Sequence, residues 1–502
     1  MTNFLQQILT YFRNLTLNSA GVSRDLYTLL QQQDINRALD LMQNRDDEVD
    51  IAIKEYNPQT HSVMRRPNKY RKNDDPYITE KLPRTWQRYI NEVELFFLLG
   101  SPIIWKKEDG DDEAYKLFTD FLSEQHFNSR IRQAKRLAGA ETESALLTHI
   151  YRDEENGERM VKLCVLARST GYRLRPLFDQ YGGMSAFAYG YTTREGGRDI
   201  QHWDFQTPKI LAYAKRGRMG WDVEVFPNPT GKINVIYFPQ PKAWDGAEQR
   251  IAREELLDSK TGDTNNYFSD PIAAATADVI DSLADPSKPG KLIQLGSGTS
   301  RFEYINPPQS SETRNSEKSD LHKSILFDTY TPDFDIDNMR GLGTLSGVAI
   351  RNALILGYIK RDNRKEIYEE LVGRFRNVVL SVLAYLHPDK REKIEELSVS
   401  FEFGEPFMED KQSKWGSIAQ LYSAGLVSLE TAVNMLALTD APEEEIKKLM
   451  KTAEEKKAVE IQRTAVNEAG NNAKNDNDKK TEDNAKMGAK PQVGIPRRPL
   501  SA

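Results

Sequence analysis

LHKSILFDTYTPDFDIDNMRGLGTLSGVAIRNALILGYIKRDNRKEIYEELVGRFRNVVLSVLAYL, residues Leu321 to Leu386, holds three kinds of backbone in succession. A short amphipathic segment carrying Leu321, Ile325 and Phe327 stops at Thr331-Pro332, because proline lacks an amide donor and restricts the residue before it. A loop follows with Asp333, Asp335, Asp337, Arg340 and the glycines Gly341 and Gly343. Then come roughly forty residues without proline and with an apolar period close to helical. Ser346 is placed to cap that run, since its hydroxyl can accept from one of the orphan amides of the first turn. Helix, glycine-flanked loop and very long helix make a poor catalytic pocket. They make a good means of presenting a mobile loop at one defined place.

Composition narrows the class. A chain of 502 residues is too long for one core, so several domains are expected. Charged residues make up 29% against 38% hydrophobic, with a mean hydropathy of -0.64. Such polarity suits an elongated molecule, or one that buries further area only against partner subunits. No apolar run approaches bilayer length, and Met1–Ala20 lacks the apolar core of a signal peptide, so no membrane association is expected. The single cysteine, Cys164, excludes an internal disulfide and a paired-thiolate metal site. It sits in an apolar alternation and reads as a small core residue. The net charge of -6 argues against an ordinary nucleic-acid binder.

Outward from the quoted stretch, Met1 to about Asp50 reads as helices, with Leu5, Ile8, Leu9, Phe12 and Leu15 on one face. The basic run Arg65–Lys72 is either a phosphate patch or a solvated loop, and the solvated loop is preferred. Leu82-Pro83 opens a helix whose stripe of Trp86, Tyr89, Ile90, Val93, Phe96 and Phe97 reads as core, and Asp112–Ile150 continues as helix. From Met160 to Phe238 the period turns to alternation. Strands are predicted over Val161–Arg168, Met184–Thr192, Ile210–Ala214, Trp221–Phe226 and Ile233–Phe238, in an antiparallel meander. Helix returns from about Gly246 to Leu257, interrupted by Gly262 and Asn265-Asn266. Ala273–Leu283 reads as a small helix, Lys291–Leu295 and Arg301–Ile305 as strands, and Leu397–Phe403 as a strand that rejoins the meander. Ser428 is a candidate N-cap in the helical region Trp415–Met450. Beyond about Glu468 the composition predicts disorder.

Candidate chemistry is sparse. Leu295–Ser300 (LGSGTS) resembles a phosphate loop but has no lysine and precedes a strand, so a hairpin turn is preferred. The six histidines show no metal-ligand spacing. Asp333, Asp335 and Asp337 lack an apolar pocket to tune them and read as solvated charges. There is no GxSxG elbow. Neither an enzyme nor a cofactor or metal site is expected.

The order of these segments resembles the portal proteins of tailed double-stranded-DNA bacteriophages, in their siphophage-like branch. The resemblance rests on Thr329-Tyr330-Thr331-Pro332, the loop Asp333–Leu345, Ser346-Gly347-Val348-Ala349, and Leu99-Gly100-Ser101-Pro102 closing an earlier helix. It implies an α+β architecture: N-terminal helices and wing (1–242), stem helix 1 (243–268), a small α/β clip (269–309), stem helix 2 (310–332), a tunnel loop (333–345), a long kinked helix with a wing strand (346–410), a helical crown (411–468) and a disordered tail (469–502). It further implies a homo-oligomeric ring, typically of twelve subunits, at a capsid vertex of the virion, assembled in the host cytoplasm. The expected partners are the terminase motor, major capsid and scaffolding proteins, and head-completion or tail adaptor proteins, with double-stranded DNA passing through. Asp335, Asp337, Asn338, Arg340 and Leu342 would line the channel and touch the DNA. Two rivals are a shorter type of head–tail adaptor and a cytoplasmic hydrolase built from scattered carboxylates.

Overall fold

The computed structural model describes residues 22–70, 76–153, 157–269, 273–275, 302–304, 311–334, 352, 354–406, 411–436 and 446–452. The chain divides into two units, Met1–Phe407 and Met408–Ala502. The first unit mixes helices with antiparallel sheets, and every strand pairing described is antiparallel.

Four layers organise much of this unit. Strands β1 (Lys69–Tyr70) and β2 (Pro76–Tyr77) form a small ribbon, and β3 spans Ile103–Asp109. Next come β4 (Glu143–Arg152), β5 (Arg159–Leu166), β6 (Arg173–Phe178), β7 (Met184–Glu195), β8 (Arg198–Gln206), β9 (Ile210–Arg216), β10 (Trp221–Pro227) and β11 (Val235–Pro239). β6 to β10 form a five-stranded meander, while β11, β4 and β5 form a second sheet in that order. Alternation along the strands gives each sheet two apolar faces. Ala188, Trp203, Phe205 and Ala214 pack on Leu26, Leu30, Ile35 and Ala38 of the helices Val22–Gln31 and Ile35–Asp40. Leu174, Phe187 and Tyr189 of the opposite face meet Ala145, Leu147, Val235 and Tyr237 of the second sheet. Leu146, Leu163, Ile236 and Phe238 then turn toward a helical layer.

That helical layer is built on the helix Ile355–Leu386, whose 32 residues span about 48 Å at 1.5 Å each. Tyr368, Val372, Phe375, Val379, Val382 and Leu383 recur every three or four positions and are buried. Phe375 stacks on Phe127 of the helix Phe127–Glu141 at 4.4 Å between centroids. The long helix stops at Leu386, before His387-Pro388.

Several expectations change. The stretch expected as helix over Asp112–Ile150 is two helices, Asp112–Glu124 and Phe127–Glu141, followed by β4. His126 (φ 51°) and Thr142 (φ 69°) adopt left-handed conformations that end helices. Of the strands expected in one meander, β5 and β11 lie with β4 in the second sheet, and the five-stranded meander contains β6 and β8, which lack clean alternation. The strand β14 (Ser398–Phe403) pairs with β3 rather than rejoining the meander. Gly262 and Asn265-Asn266 interrupt nothing: the helix Glu248–Ser269 runs through them. There the segment before the helix Trp86–Leu99 lies so close that a Cβ on Gly262 would sit 3.0 Å from Glu80, and Asn266 donates to Glu80 at 2.7 Å. β12 (Ala273–Ala275) pairs with β13 (Phe302–Tyr304), so a strand replaces the start of the expected helix Ala273–Leu283.

The helices Glu248–Ser269 and Ser311–Asp328 run antiparallel and are laced by charge. Arg250 pairs with Asp328, Lys318 with Asp258 at 2.7 Å, and Arg253 with Glu317 at 2.8 Å. Ile325 is buried as expected, with Leu326 beside it, whereas Phe327 is exposed. Arg66 belongs to neither reading of the basic run: it is pinned to Asp263 at 2.6 Å. Cys164 is partly buried against the inter-sheet core, and burial raises its thiol pKa, as befits a packing residue. In the second unit the helices Lys411–Ser423 and Leu429–Leu436 are described, and Ser428 caps the latter through the Thr431 amide at 3.1 Å. The expected Ser346 cap, the LGSGTS turn, Leu5–Leu15 and the tail lie outside the described residues.

Candidate functional site

The chain beyond Phe334 leaves from a firmly built base, and that base is the helix Trp86–Leu99. This anchor helix carries Trp86, Ile90, Val93 and Phe97 as a buried stripe, with Tyr89 beside them. The Tyr89 hydroxyl donates to the Pro332 carbonyl at 2.9 Å and accepts the Phe334 amide at 3.0 Å. One phenol therefore staples the outgoing backbone. Phe334 lies over Phe97 at 6.3 Å and 30°. On the returning side, Leu354 is buried with Val93 and Phe97, and Tyr358 meets Phe97 edge-on at 5.5 Å. Gly357 is required here, because a Cβ would fall 2.2 Å from the Phe97 ring. The outgoing and returning roots thus rest on one aromatic ring.

The backbone on the outgoing side is also shaped. Thr331 N–H donates to Leu326 O at 2.8 Å and Tyr330 N–H to Phe327 O at 3.1 Å, which closes the helix Ser311–Asp328 with Tyr330 left-handed at φ 48°. Glycine usually fills that position. The Thr329 and Thr331 hydroxyls bond to each other at 2.9 Å, and the Lys360 ammonium reaches Thr331 at 3.4 Å.

Behind this turn lies a buried charge cluster. Glu94 of the anchor helix, fully buried, meets Lys135 at 2.7 Å, Arg364 at 2.8 Å and Lys360 at 3.4 Å. Burial opposes the Glu94 charge, yet Arg364, Lys135 and Lys360 hold its carboxyl well below the usual range. The lysines show the converse. Burial, with Arg364 and Lys135 nearby, lowers Lys360 to about 8 despite Glu94. Burial likewise lowers Lys135. One carboxylate therefore ties the anchor helix to the helix Phe127–Glu141 and to the first turns of the long helix.

The loop residues singled out from sequence, Asp335, Asp337, Asn338, Arg340 and Leu342, lie outside the described residues. Asp333 is described and faces His322 at 3.4 Å. Sequence reasoning took the anchor stripe as core, and it is, except that Phe96 is exposed. It overlooked Glu94, Lys135, Lys360 and Arg364. The available signal was a lone acid inside the apolar run Val93-Glu-Leu-Phe-Phe-Leu-Leu99, which at helical spacing falls on a buried face.

Comparison with known proteins places this geometry in a class. The family model "Phage portal protein, SPP1 Gp6-like" matches residues 31–458. The chain belongs to that family of phage structural proteins. A search of curated proteins finds no match. Similar solved structures include the neck of a native gene transfer agent (GTA) particle computed with C12 symmetry. That pair shares 11% identity with a TM-score of 0.39 over 70% of this chain and 90% of the other. The neck of an empty GTA particle computed with C6 symmetry gives 11%, 0.39, 70% and 89%. The virion of a native GTA particle gives 11%, 0.37, 70% and 89%.

Proposed function

We propose that this chain assembles into a closed ring of twelve copies at one capsid vertex and forms the channel through which double-stranded DNA enters and leaves. Its membership of the portal family, with the match over residues 31–458, carries the proposal. The four layers would be the wing, the paired helices the stem, and residues 333–345 the tunnel loop. A connection with both roots on one helix keeps a fixed origin, which suits a contact with a sliding duplex. Asp335, Asp337, Asn338, Arg340 and Leu342 would make that contact. A net charge of -6 per copy keeps the duplex from being gripped. The stem helices are held by charge and bury little apolar surface within one copy, so neighbouring copies would supply the rest. Ring closure is by heterologous contacts related by rotation. The terminase motor would dock at the clip end and supply the ATP chemistry. Head-completion and tail proteins would replace it there, and capsid and scaffolding proteins would meet the outer surface.

Native mass spectrometry and negative-stain imaging test the ring. A closed ring is expected, and a stable monomer overturns the proposal. Deleting Asn338–Gly343 tests the loop: rings should still form while DNA packaging falls, and unaltered packaging would remove the loop from the mechanism.

A further inference from the structure

The cleft where the two sheets diverge is left unfilled by the described residues. β4 and β5 place Arg152 directly opposite Arg159. Like charges in that position weaken a sheet, and among the described residues neither arginine pairs with a carboxylate. The Arg159 guanidinium lies over the Tyr385 ring at 4.4 Å. Beside it, Tyr151, Tyr213 and Phe226 are 40%, 39% and 47% exposed. Together these groups line a cavity of about 330 Å³. Tyr213 and Phe226 are wet because the second sheet covers the meander at Leu174, Phe187 and Tyr189 and stops short of β10.

Exposed tyrosines, a phenylalanine and two arginines are among the residue types that carry binding energy at protein interfaces. We infer that this cleft docks an acidic peptide segment of another protein, with an aromatic or large aliphatic side chain seated among Tyr151, Tyr213, Phe226 and Tyr385. Carboxylates of the segment pair with Arg152 and Arg159. Charge complementarity selects this occupant, because two arginines paired across neighbouring strands are relieved by carboxylates in the bidentate geometry arginine favours. A nucleic-acid backbone needs a longer row of cations than the two arginines that line this cavity. The site is independent of the channel reading and stands or falls apart from it.

The test pans the full-length protein against a random peptide display library. Enriched peptides are then remade with a fluorescent label for anisotropy. Peptides combining Asp or Glu with Phe, Tyr, Trp or Leu are expected, with affinity falling about tenfold or more in R152E and in F226A. R152E should keep or raise Tm, since it places an acid opposite Arg159, so lost binding in that variant is not lost folding. The inference is overturned by no acidic–aromatic enrichment, by enrichment that R152E leaves intact, or by R152E-sensitive binding of labelled oligothymidine in place of peptide. A change in assembly mass on R152E without any peptide would assign the cleft to a second copy and overturn it equally.

Discussion

Replacing Glu94 by glutamine removes the one carboxylate that Lys135, Lys360 and Arg364 share, and leaves three buried cations facing each other. Breaking a buried ion pair from one side costs about 3–5 kcal/mol, because the partner charge stays desolvated. Against a net stability of about 5–15 kcal/mol that is a large fraction. Tm should fall by roughly 4–6 °C in a unit of this size. K135M should cost less, about 1–2 kcal/mol, since Glu94 keeps Arg364 and Lys360. The pH dependence has a definite sign. The folded Glu94 pKa is depressed, so its stabilisation is complete above the unfolded value of 4.5 and declines as pH falls below it. The gap between wild type and E94Q, followed by differential scanning fluorimetry from pH 8 to pH 3, should therefore narrow at the acid end. An E94Q penalty below about 1 kcal/mol, or a K135M penalty that exceeds it, would refute the idea that this carboxylate organises the base on which Phe334 and Leu354 rest.

The remaining predictions concern the same anchorage and the sheets. Tyr89→Phe removes the hydroxyl that holds Pro332 and Phe334; Tm should fall by only a few degrees while amide exchange at Phe334 accelerates, as hydrogen-exchange mass spectrometry would report. Gly357→Ala drives a methyl into Phe97 and should cost about 1–3 kcal/mol in denaturant titration. Asp204 is pushed up to about 6 by burial, against the hydrogen bonds of Tyr189 and Tyr191. Its folded pKa thus lies above its unfolded one, so stability declines as pH rises from 3.8 to about 6. Asp204→Asn should raise Tm at pH 7.5 by an amount that disappears below pH 4, with a gain on the order of 2–3 kcal/mol. Lys360→Met should abolish a rise in stability between pH 8 and 10.5, the window in which the folded lysine is already neutral and the unfolded one still charged.

The elements with one dominant period were legible in the sequence. The anchor helix, the long helix, the strands β5, β7, β9, β10 and β11, and the cap at Ser428 follow from apolar spacing and local hydrogen bonding. Those preferences act over a few residues and hold wherever the segment is placed. The portal resemblance likewise came from the order of segments around Thr331-Pro332.

What failed depended on partners distant in the chain. β4 was read as helix because it is buried on both faces and so shows no alternation. The helix Glu248–Ser269 was cut short at Gly262 because nothing local reveals that Glu80 packs there. β14 was assigned to the wrong sheet because pairing with β3 joins positions nearly three hundred residues apart. The charge cluster on Glu94 escaped notice for the same reason: each member is an ordinary charged residue in its own helix. Sequence alone determined which segments are helix, strand or loop where one period dominates. Tertiary structure decided which buried charges meet and that Phe334 and Leu354 share one aromatic base, since an ion pair or ring contact between distant helices exists only after the chain has closed around it.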